Sequence, residues 1–364
     1  MCSTSPSMRR MSSTWSPSMK TSGSGPIRTI FSGSNSKGCS HILHLAFPII
    51  LISLPFCFGF WFCFFLLLFL LFLKLISPSP TNRIFVSKMT CPSIVLHNGV
   101  KMPQVGLGMW KTESGDVAVN SLQWAVEAGY RHIDTAAIYG NESSVGQGLK
   151  GVKVPREEIF VTTKLWNADH GYDKALEAFE KSRAALGVDY VDLYLIHWPG
   201  PNKQSYLDSW RALEKLYEEK KVRAIGLSNF NQHHIEDILA VCKVRPMVNQ
   251  IEVHPQNTQA PLRQYCKEQN IAVTGWSPLG QGNLLQHPVL VKIAEKHKRT
   301  TAQVIIRWFI QSGMIVIPKS VNKDRIASNF DVFNFTLDEE DVKHVESINE
   351  NKRFGPDPDN FSGF

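Results

Sequence analysis

The feature that most constrains the fold of this 364-residue chain is a series of short apolar runs, each followed by a stretch with helical periodicity. Eight runs follow one another at intervals of roughly 25 to 42 residues, which is the spacing of strand–helix units. Runs that are apolar at nearly every position indicate strands buried on both faces, as in a parallel sheet. The runs are Val105–Gly108, His132–Asp134, Ile159–Lys164, Val191–His197, Val222–Leu227, Met247–Ile251, Ala272–Trp276 and Met314–Ile317.

The segments between the runs carry the period of an amphipathic helix. After the fifth run, Ile235, Ile238, Leu239 and Cys242 recur at spacings that place them on one helical face. Gly129 ends a similar stretch and is placed to cap it. Eight such units in about 250 residues predict an α/β fold in which the strands close into a (β/α)8 barrel, the TIM barrel.

Two further patterns refine this prediction. Residues 93–102 are typical of a β-hairpin with Asn98-Gly99 as a two-residue turn, and we expect this hairpin to plug the bottom of the barrel. Gly146–Gly151 matches GxGxxG, the phosphate-binding pattern of a rival, doubly wound fold. It follows polar residues and resembles the end of a helix, not a turn that leaves a strand. It therefore does not predict a phosphate site.

The first 88 residues differ in composition from the rest. They contain eight Lys and Arg and no Asp or Glu, so that 31 basic and 32 acidic residues remain for the body. The body has no excess positive charge with which to bind nucleic acid, and we expect no such partner. We divide the chain into a disordered, Ser-rich extension (1–45), a hydrophobic segment (46–73), a linker (74–90) and a barrel domain (91–364).

The hydrophobic segment is a run of 28 residues without a charge, long enough to span a membrane. It is too long for the apolar region of a cleaved signal peptide. Three interpretations stay open: a membrane anchor, a targeting segment, or upstream sequence that is not part of the working protein, since Met89 begins a complete domain. We expect a membrane only if this segment belongs to the mature chain. In each case we expect a monomeric, cytoplasmic barrel domain that acts without residues 1–88.

Four titratable side chains lie where the predicted strands end, which is where barrels carry catalytic groups. Asp134, Lys164 and His197 end the second, third and fourth runs, and Tyr139 follows Asp134 by five residues. Buried charges such as Asp134 and Lys164 need each other as partners. A lysine cation beside Tyr139 should lower the phenol pKa from ~10 and make it a proton donor or acceptor near neutral pH.

Each of these side chains alone has a structural interpretation, as an ion pair, a core histidine or a surface tyrosine, but their joint placement favours catalysis. Trp110, Trp166 and Trp198 follow strand ends and predict the walls of a pocket for a flat, apolar carbonyl substrate. In the tail, Phe354, Phe361 and Phe364 either cap this pocket or fray.

No metal site is predicted. His233, His234 and His254 lack partners at the spacing of metal ligands. The three cysteines after residue 90 are too far apart in sequence for a zinc motif or a disulfide framework, and they favour a reducing compartment.

Five segments of the predicted barrel carry a further signal: Gly129–Glu142, Thr162–Trp166, Leu195–Pro199, Gly226–Phe230 and Ile317–Ser320. They resemble segments of the aldo-keto reductases and occur in the order of that family, and the resemblance runs from about Ile94 to the C-terminus. The loop after Pro199 and residues 353–358 are similar to the prostaglandin F synthase-type branch and to diketogluconate reductases. The resemblance implies NADPH-dependent reduction of aldehydes and ketones.

The resemblance also implies roles for single residues. Tyr139 would donate the proton, and Lys164, paired with Asp134, would lower its pKa. His197 would orient the substrate carbonyl. With NADP(H) as cofactor, the implied contacts are Gly108, Met109, Trp110, Asp134, Ser228, Asn229, Gln250, Trp276, Ser277, Pro278, Leu279, Gln281, Gly282, Lys319, Ser320, Val321, Asn322, Arg325 and Asn329.

Within this set, Ser228, Asn229 and Gln250 would hold the carboxamide, and Trp276 would stack on the nicotinamide. The loop from Ser277 to Gly282 would close over the pyrophosphate. Residues 319–325 lead into a helix, and cations at a helix N-terminus form a phosphate site in their own right. The resemblance assigns that site to the 2′-phosphate, which favours NADPH over NADH. We interpret Lys323 as a solvated surface charge.

A second class of function stays open at this point. Barrels of this family also serve as NADPH-binding regulatory or sensor modules, and the apolar segment would tether such a module at a membrane. The complete set of strand-end residues favours the enzyme, because a sensor does not need the proton donor Tyr139.

Overall fold

The structure is a computed structural model that describes residues 91–363. The predicted extension, hydrophobic segment and linker lie outside the described residues, as does Phe364. In the described part of the chain, no helix is both long and apolar enough to cross a membrane.

An antiparallel hairpin precedes the barrel, formed by strands β1 (Ser93–Val95) and β2 (Lys101–Pro103). It lies against the N-terminal end of a barrel strand, where the Asn98 side-chain amide donates to the carbonyl of Arg223 at 3.0 Å. Met102 is fully buried in the core. The expected hairpin at the bottom of the barrel is therefore present.

The turn of this hairpin differs from the prediction. Gly99 N donates to Leu96 O and Leu96 N donates to Val100 O, both at 2.8 Å, so His97 and Asn98 form the centre of the turn. Gly99 follows with a φ of +86°, which glycine adopts without steric cost. A glycine in this conformation directly after a turn matches the twist of the two strands. Gly99 is thus a third loop residue, where the sequence predicted only two.

Eight parallel strands are hydrogen-bonded in chain order and form the barrel. The sheet closes because Val105 and Val316 pair in parallel and Gly106 N donates to Val316 O at 2.9 Å. The predicted (β/α)8 barrel is confirmed. Its strands are β3 (Leu107–Gly108), β4 (His132–Asp134), β5 (Phe160–Leu165), β6 (Val191–Ile196), β7 (Val222–Ser228), β8 (Val248–Glu252), β9 (Ala272–Trp276) and β10 (Ile315–Val316).

Helices surround the sheet and bury the apolar faces that the sequence predicts. Gly129 caps the first of them with a φ of +114°, as expected. The helix after β7 ends at Leu239, so Cys242 lies beyond it in a half-buried position. The helices are α1 (Asp116–Ala128), α2 (Glu142–Gly151), α3 (Tyr172–Leu186), α4 (Lys203–Glu218), α5 (Gln232–Leu239), α6 (Ala260–Glu268), α7 (Pro288–His297), α8 (Thr301–Gln311), α9 (Lys323–Phe330) and α10 (Glu339–Ser347).

The GxGxxG pattern lies inside helix α2 and not in a phosphate-binding turn. Its glycines allow neighbouring helices to approach closely. A Cβ on Gly146 would come within 2.5 Å of the Leu186 carbonyl oxygen in α3, and one on Gly148 within 3.2 Å of the Leu122 side chain in α1.

This packing predicts opposite outcomes for two alanine substitutions in one helix. Gly146→Ala should destabilise the fold by about 1–3 kcal/mol, because backbone must move to admit the methyl group. Gly151→Ala is the matched control, since its Cβ meets only the flexible end of the Gln123 side chain. Denaturant unfolding of both variants measures the difference. Equal unfolding midpoints would contradict this account of α2.

Candidate active site

A cavity of about 640 Å³ opens at the C-terminal ends of the barrel strands. It brings together most of the residues that the sequence singled out, although they are spread over more than 200 positions of the chain. The predicted residues that line it are Gly108, Trp110, Asp134, Tyr139, Trp166, His197, Trp198, Ser228, Asn229, Gln250, Trp276, Ser277, Pro278, Gln281 and Lys319.

An ion pair lies at the base of this cavity. Lys164 on β5 donates through Nζ to Asp134 Oδ1 at 2.6 Å, and the two side chains are 0% and 2% exposed. Burial lowers the pKa of Lys164, but attraction to Asp134 and Tyr139 outweighs it and leaves this pKa above its usual value. Lys164 therefore stays charged. The predicted pairing is confirmed.

Tyr139 reaches this pair from a short 3-10 turn, Ala137–Tyr139, which follows β4. Its hydroxyl lies 3.4 Å from Lys164 Nζ. The expected direction of its pKa shift was wrong: burial raises the pKa of Tyr139, and Lys164 offsets only part of that rise. At this half-buried position, a phenolate would lose more stabilisation from water than the Lys164 cation supplies. Tyr139 is therefore a neutral phenol.

His197 completes the predicted set. It follows β6 directly, and its ring meets the Tyr139 ring edge to face at 5.7 Å. Burial, followed by the charge of Lys164, holds the pKa of His197 well below its usual 6.5, so this imidazole is neutral. Its Nδ1 is buried and has no hydrogen-bond partner within the described part of the chain.

Amide side chains on neighbouring strands connect these groups. Gln250 Nε2 donates to Asp134 Oδ2 at 2.7 Å. Asn229 Nδ2 donates to the His197 carbonyl at 2.9 Å, and Asn229 Oδ1 accepts from Trp276 Nε1 at 2.8 Å. The indole of Trp276 is thereby fixed in one orientation beside the catalytic candidates.

Aromatic rings form the walls, as predicted. Trp110, Trp166 and Trp198 all line the cavity. The tail caps it and does not fray, since the Phe361 ring lies 4.3 Å from that of Trp198. The sequence analysis assigned no role in the site to several further lining residues, most of which are apolar or glycine. These are Lys111, Ile138, Ile317, Gly355 and Pro356.

The loop between β10 and α9, residues 317–322, lies next to the cavity. Lys319 lines the cavity. Helix α9 begins nearby, where Asn322 Oδ1 accepts a hydrogen bond from the backbone N–H of Arg325. Burial, followed by repulsion from Arg325, lowers the pKa of Lys319. Lys323 instead faces Glu127 at 3.8 Å on the exposed surface, which agrees with its interpretation as a solvated charge.

Eight predicted cofactor residues do not line the cavity itself. Met109 is fully buried in the hydrophobic core and donates its backbone N–H to the Asp134 carbonyl at 2.9 Å. Leu279 packs against the core from the loop after β9. The remaining six are Gly282, Ser320, Val321, Asn322, Arg325 and Asn329.

The histidines do have partners, contrary to expectation. Asp359 of the tail lies 3.5 Å from His233 Nε2 and 3.8 Å from His234 Nε2, a grouping that could in principle surround a metal ion. However, His234 Nδ1 accepts the backbone N–H of Asn231. The proton of the neutral ring then sits on Nε2, the atom that faces Asp359 and that a metal would require unprotonated. We therefore interpret the grouping as polar contacts that hold the tail.

Comparison with known proteins gives the family. Residues 104–350 match the model described as the aldo/keto reductase family. The chain belongs to this family. It is therefore an oxidoreductase, as the sequence motifs predict.

Individual relatives agree with this assignment. The chain is 58% identical over 271 residues to a 9,11-endoperoxide prostaglandin H2 reductase of Trypanosoma cruzi, which covers 74% of this chain and 95% of the relative. It is 54% identical to a glyoxal reductase of Bacillus subtilis, over 73% of this chain and 96% of the relative. The first of these fits the branch of aldo/keto reductases that the sequence suggested.

A solved structure agrees as well. A mutant of the protein Gox0644 in complex with NADPH is 46% identical to this chain and superposes with a TM-score of 0.72. The match covers 75% of this chain and 99% of that one.

Proposed function

We propose that this aldo/keto reductase reduces aldehydes and ketones with NADPH and that Tyr139 is the proton donor. The proposal rests on one observation: the Tyr139 hydroxyl lies next to the buried Lys164–Asp134 pair and close to a neutral His197. These side chains lie at the base of a cavity whose walls are formed by aromatic side chains.

The residues around the cavity are suited to NADPH. Burial lowers the pKa of Lys319, repulsion from Arg325 and Lys111 lowers it further, and Glu113 offsets part of this effect. Cations that repel one another in this way favour a multiply charged phosphate. The fixed Trp276 indole offers a flat face for a nicotinamide, and the amides of Asn229 and Gln250 suit its carboxamide. Bound NADPH would supply the hydride.

The charge balance at Tyr139 supports a donor and not a base. A phenol with a raised pKa holds its proton at neutral pH and can release it to an oxygen that gains negative charge. The Lys164 cation, held in place by Asp134, stabilises the phenolate that remains. Neutral His197 can orient the carbonyl without competing for that proton.

The cavity walls favour flat, apolar substrates with one carbonyl group. Trp110, Trp166 and Trp198 offer large apolar surfaces, and Tyr139 and His197 supply polar groups for one carbonyl oxygen. A prostaglandin F synthase-like activity is the finer proposal within this class. It is supported by the relative named a prostaglandin H2 reductase.

Residues 91–364 form the catalytic domain in this proposal. The expectations of a monomeric, cytoplasmic enzyme that binds no nucleic acid remain predictions, as does the independence of this domain from residues 1–88.

The direct test is the loss of NADPH absorbance when the protein is mixed with an aromatic aldehyde. Tyr139→Phe should slow this turnover by about 10²–10⁴-fold, because it removes the positioned acid, and should leave NADPH binding intact. Tyr172→Phe, which changes an exposed tyrosine, serves as the control. If Tyr139→Phe kept more than about half of wild-type turnover at neutral pH, the assigned role would be wrong.

The cofactor proposal makes a separate prediction for Arg325→Ala. Binding of NADPH should weaken by about 10- to 100-fold and that of NADH far less, because only NADPH carries the 2′-phosphate that the guanidinium would grip. Lys323→Ala is the matched control, since its ammonium group faces Glu127 on the surface. Fluorescence titration with both cofactors gives the affinities. Equal losses for the two cofactors would refute the phosphate assignment.

A further inference from the structure

A fully buried carboxylate outside the catalytic set holds the C-terminal tail. Glu252, the last residue of β8, accepts the backbone N–H of Phe354 at 2.6 Å. It also accepts the N–H of Gly355, at 3.3 Å to Oε1 and 3.2 Å to Oε2. His254 Nε2 lies 3.1 Å from the same carboxylate, and both Glu252 and His254 are 0% exposed.

The burial of Glu252 makes these contacts strong constraints on the tail. A carboxylate without water must find donors elsewhere, since leaving it unsatisfied carries the full cost of its lost hydration. Two of its donors are tail N–H groups that are about 100 residues away in sequence. If the tail left, Glu252 would lose most of its partners. The bound position of Phe354 and Gly355 is therefore favoured over release.

The clamped segment forms part of the cavity wall. Gly355 is packed so closely on Trp276 that a Cβ would come within 2.3 Å of the indole ring and within 3.3 Å of Glu252 Oε2. Phe354, Gly355 and Phe361 all line the cavity. Glu252 itself is not among the lining residues, and its carboxylate contacts the cavity wall through the backbone N–H groups of Phe354 and Gly355.

A second polar contact of the tail, at Asp359, is more exposed to water. Asp359 accepts from Asn231 Nδ2 at 2.7 Å, but its side chain is 48% exposed and therefore competes with water. Beyond Asp359 the chain continues so that the Phe361 ring packs on Trp198. Glu252 thus fixes the point from which the capping segment starts.

We propose that Glu252 is a positioning residue that clamps the tail across the cavity and thereby determines how tightly large, flat carbonyl substrates bind. This inference rests on the proposed reductase function. A small dicarbonyl such as glyoxal needs only the polar end of the cavity at Tyr139 and His197. An aromatic aldehyde such as 4-nitrobenzaldehyde extends to the wall that Glu252 holds in place.

Glu252→Gln tests the clamp because it keeps the shape of the side chain and removes its charge. KM for 4-nitrobenzaldehyde should rise about tenfold, while KM for glyoxal and kcat for both substrates stay within about twofold. Glu350→Gln removes an exposed carboxylate in the same region and should behave as wild type. Gly355→Ala, which pushes the tail off Trp276 while Glu252 is intact, should repeat the effect on 4-nitrobenzaldehyde.

Hydrogen exchange provides a readout that does not depend on activity. In Glu252→Gln, amides of residues 352–363 should exchange faster than in wild type, with the barrel strands unchanged. Unchanged exchange in the tail, or equal losses for both aldehydes through kcat, would overturn the clamp. If the wild-type protein failed to oxidise NADPH with either aldehyde, the proposed function would be wrong. The exchange measurement would still test whether Glu252 holds the tail.

Discussion

The buried ion pair between Lys164 and Asp134 is the interaction on which the rest of the site depends. Two charges with almost no access to water are stable only while they face each other and their remaining hydrogen-bonding positions are filled. Asp134 meets that condition by accepting from Gln250 as well as from Lys164. Lys164 in turn donates to the Thr135 carbonyl and approaches Tyr139. The need to satisfy one pair thus fixes the positions of several groups around it.

The barrel supplies the geometry for this pair. Asp134 is in register with Thr162 on the adjacent strand. The backbone of Lys164 therefore lies two residues nearer the open end of the barrel than that of Asp134, and the long Lys164 side chain extends back to the Asp134 carboxylate. The same parallel arrangement brings β6, β7 and β8 to one rim, with His197, Ser228 and Gln250 at or near their ends. The tail then covers this rim, so segments from both halves of the chain enclose one cavity.

The parts of this arrangement that follow from local rules were predictable from the sequence. The eight strands followed from apolar runs, and the pairing of Asp134 with Lys164 followed from two charges at neighbouring strand ends. The direction of the pKa shift of Tyr139 was wrongly predicted, because loss of hydration in the folded chain outweighs the attraction of Lys164, and the sequence does not show how far the hydroxyl is desolvated. Glu252 ended a strand like Asp134, but its tail partners are about 100 positions away. The prediction of a two-residue hairpin turn was wrong, because Asn-Gly fits more than one type of turn and only the strand register distinguishes these types.

The most direct test of the proposed role of the ion pair is the single-turnover rate of NADPH oxidation by Lys164→Met with NADPH already bound. Gln250 remains as a donor to Asp134, and NADPH affinity reports whether the site still folds. The account predicts bound NADPH and a hydride-transfer step at least about 100-fold slower than in wild type, because the phenolate left on Tyr139 loses its stabilising cation. A variant that binds NADPH and oxidises it at nearly the wild-type rate would contradict the account.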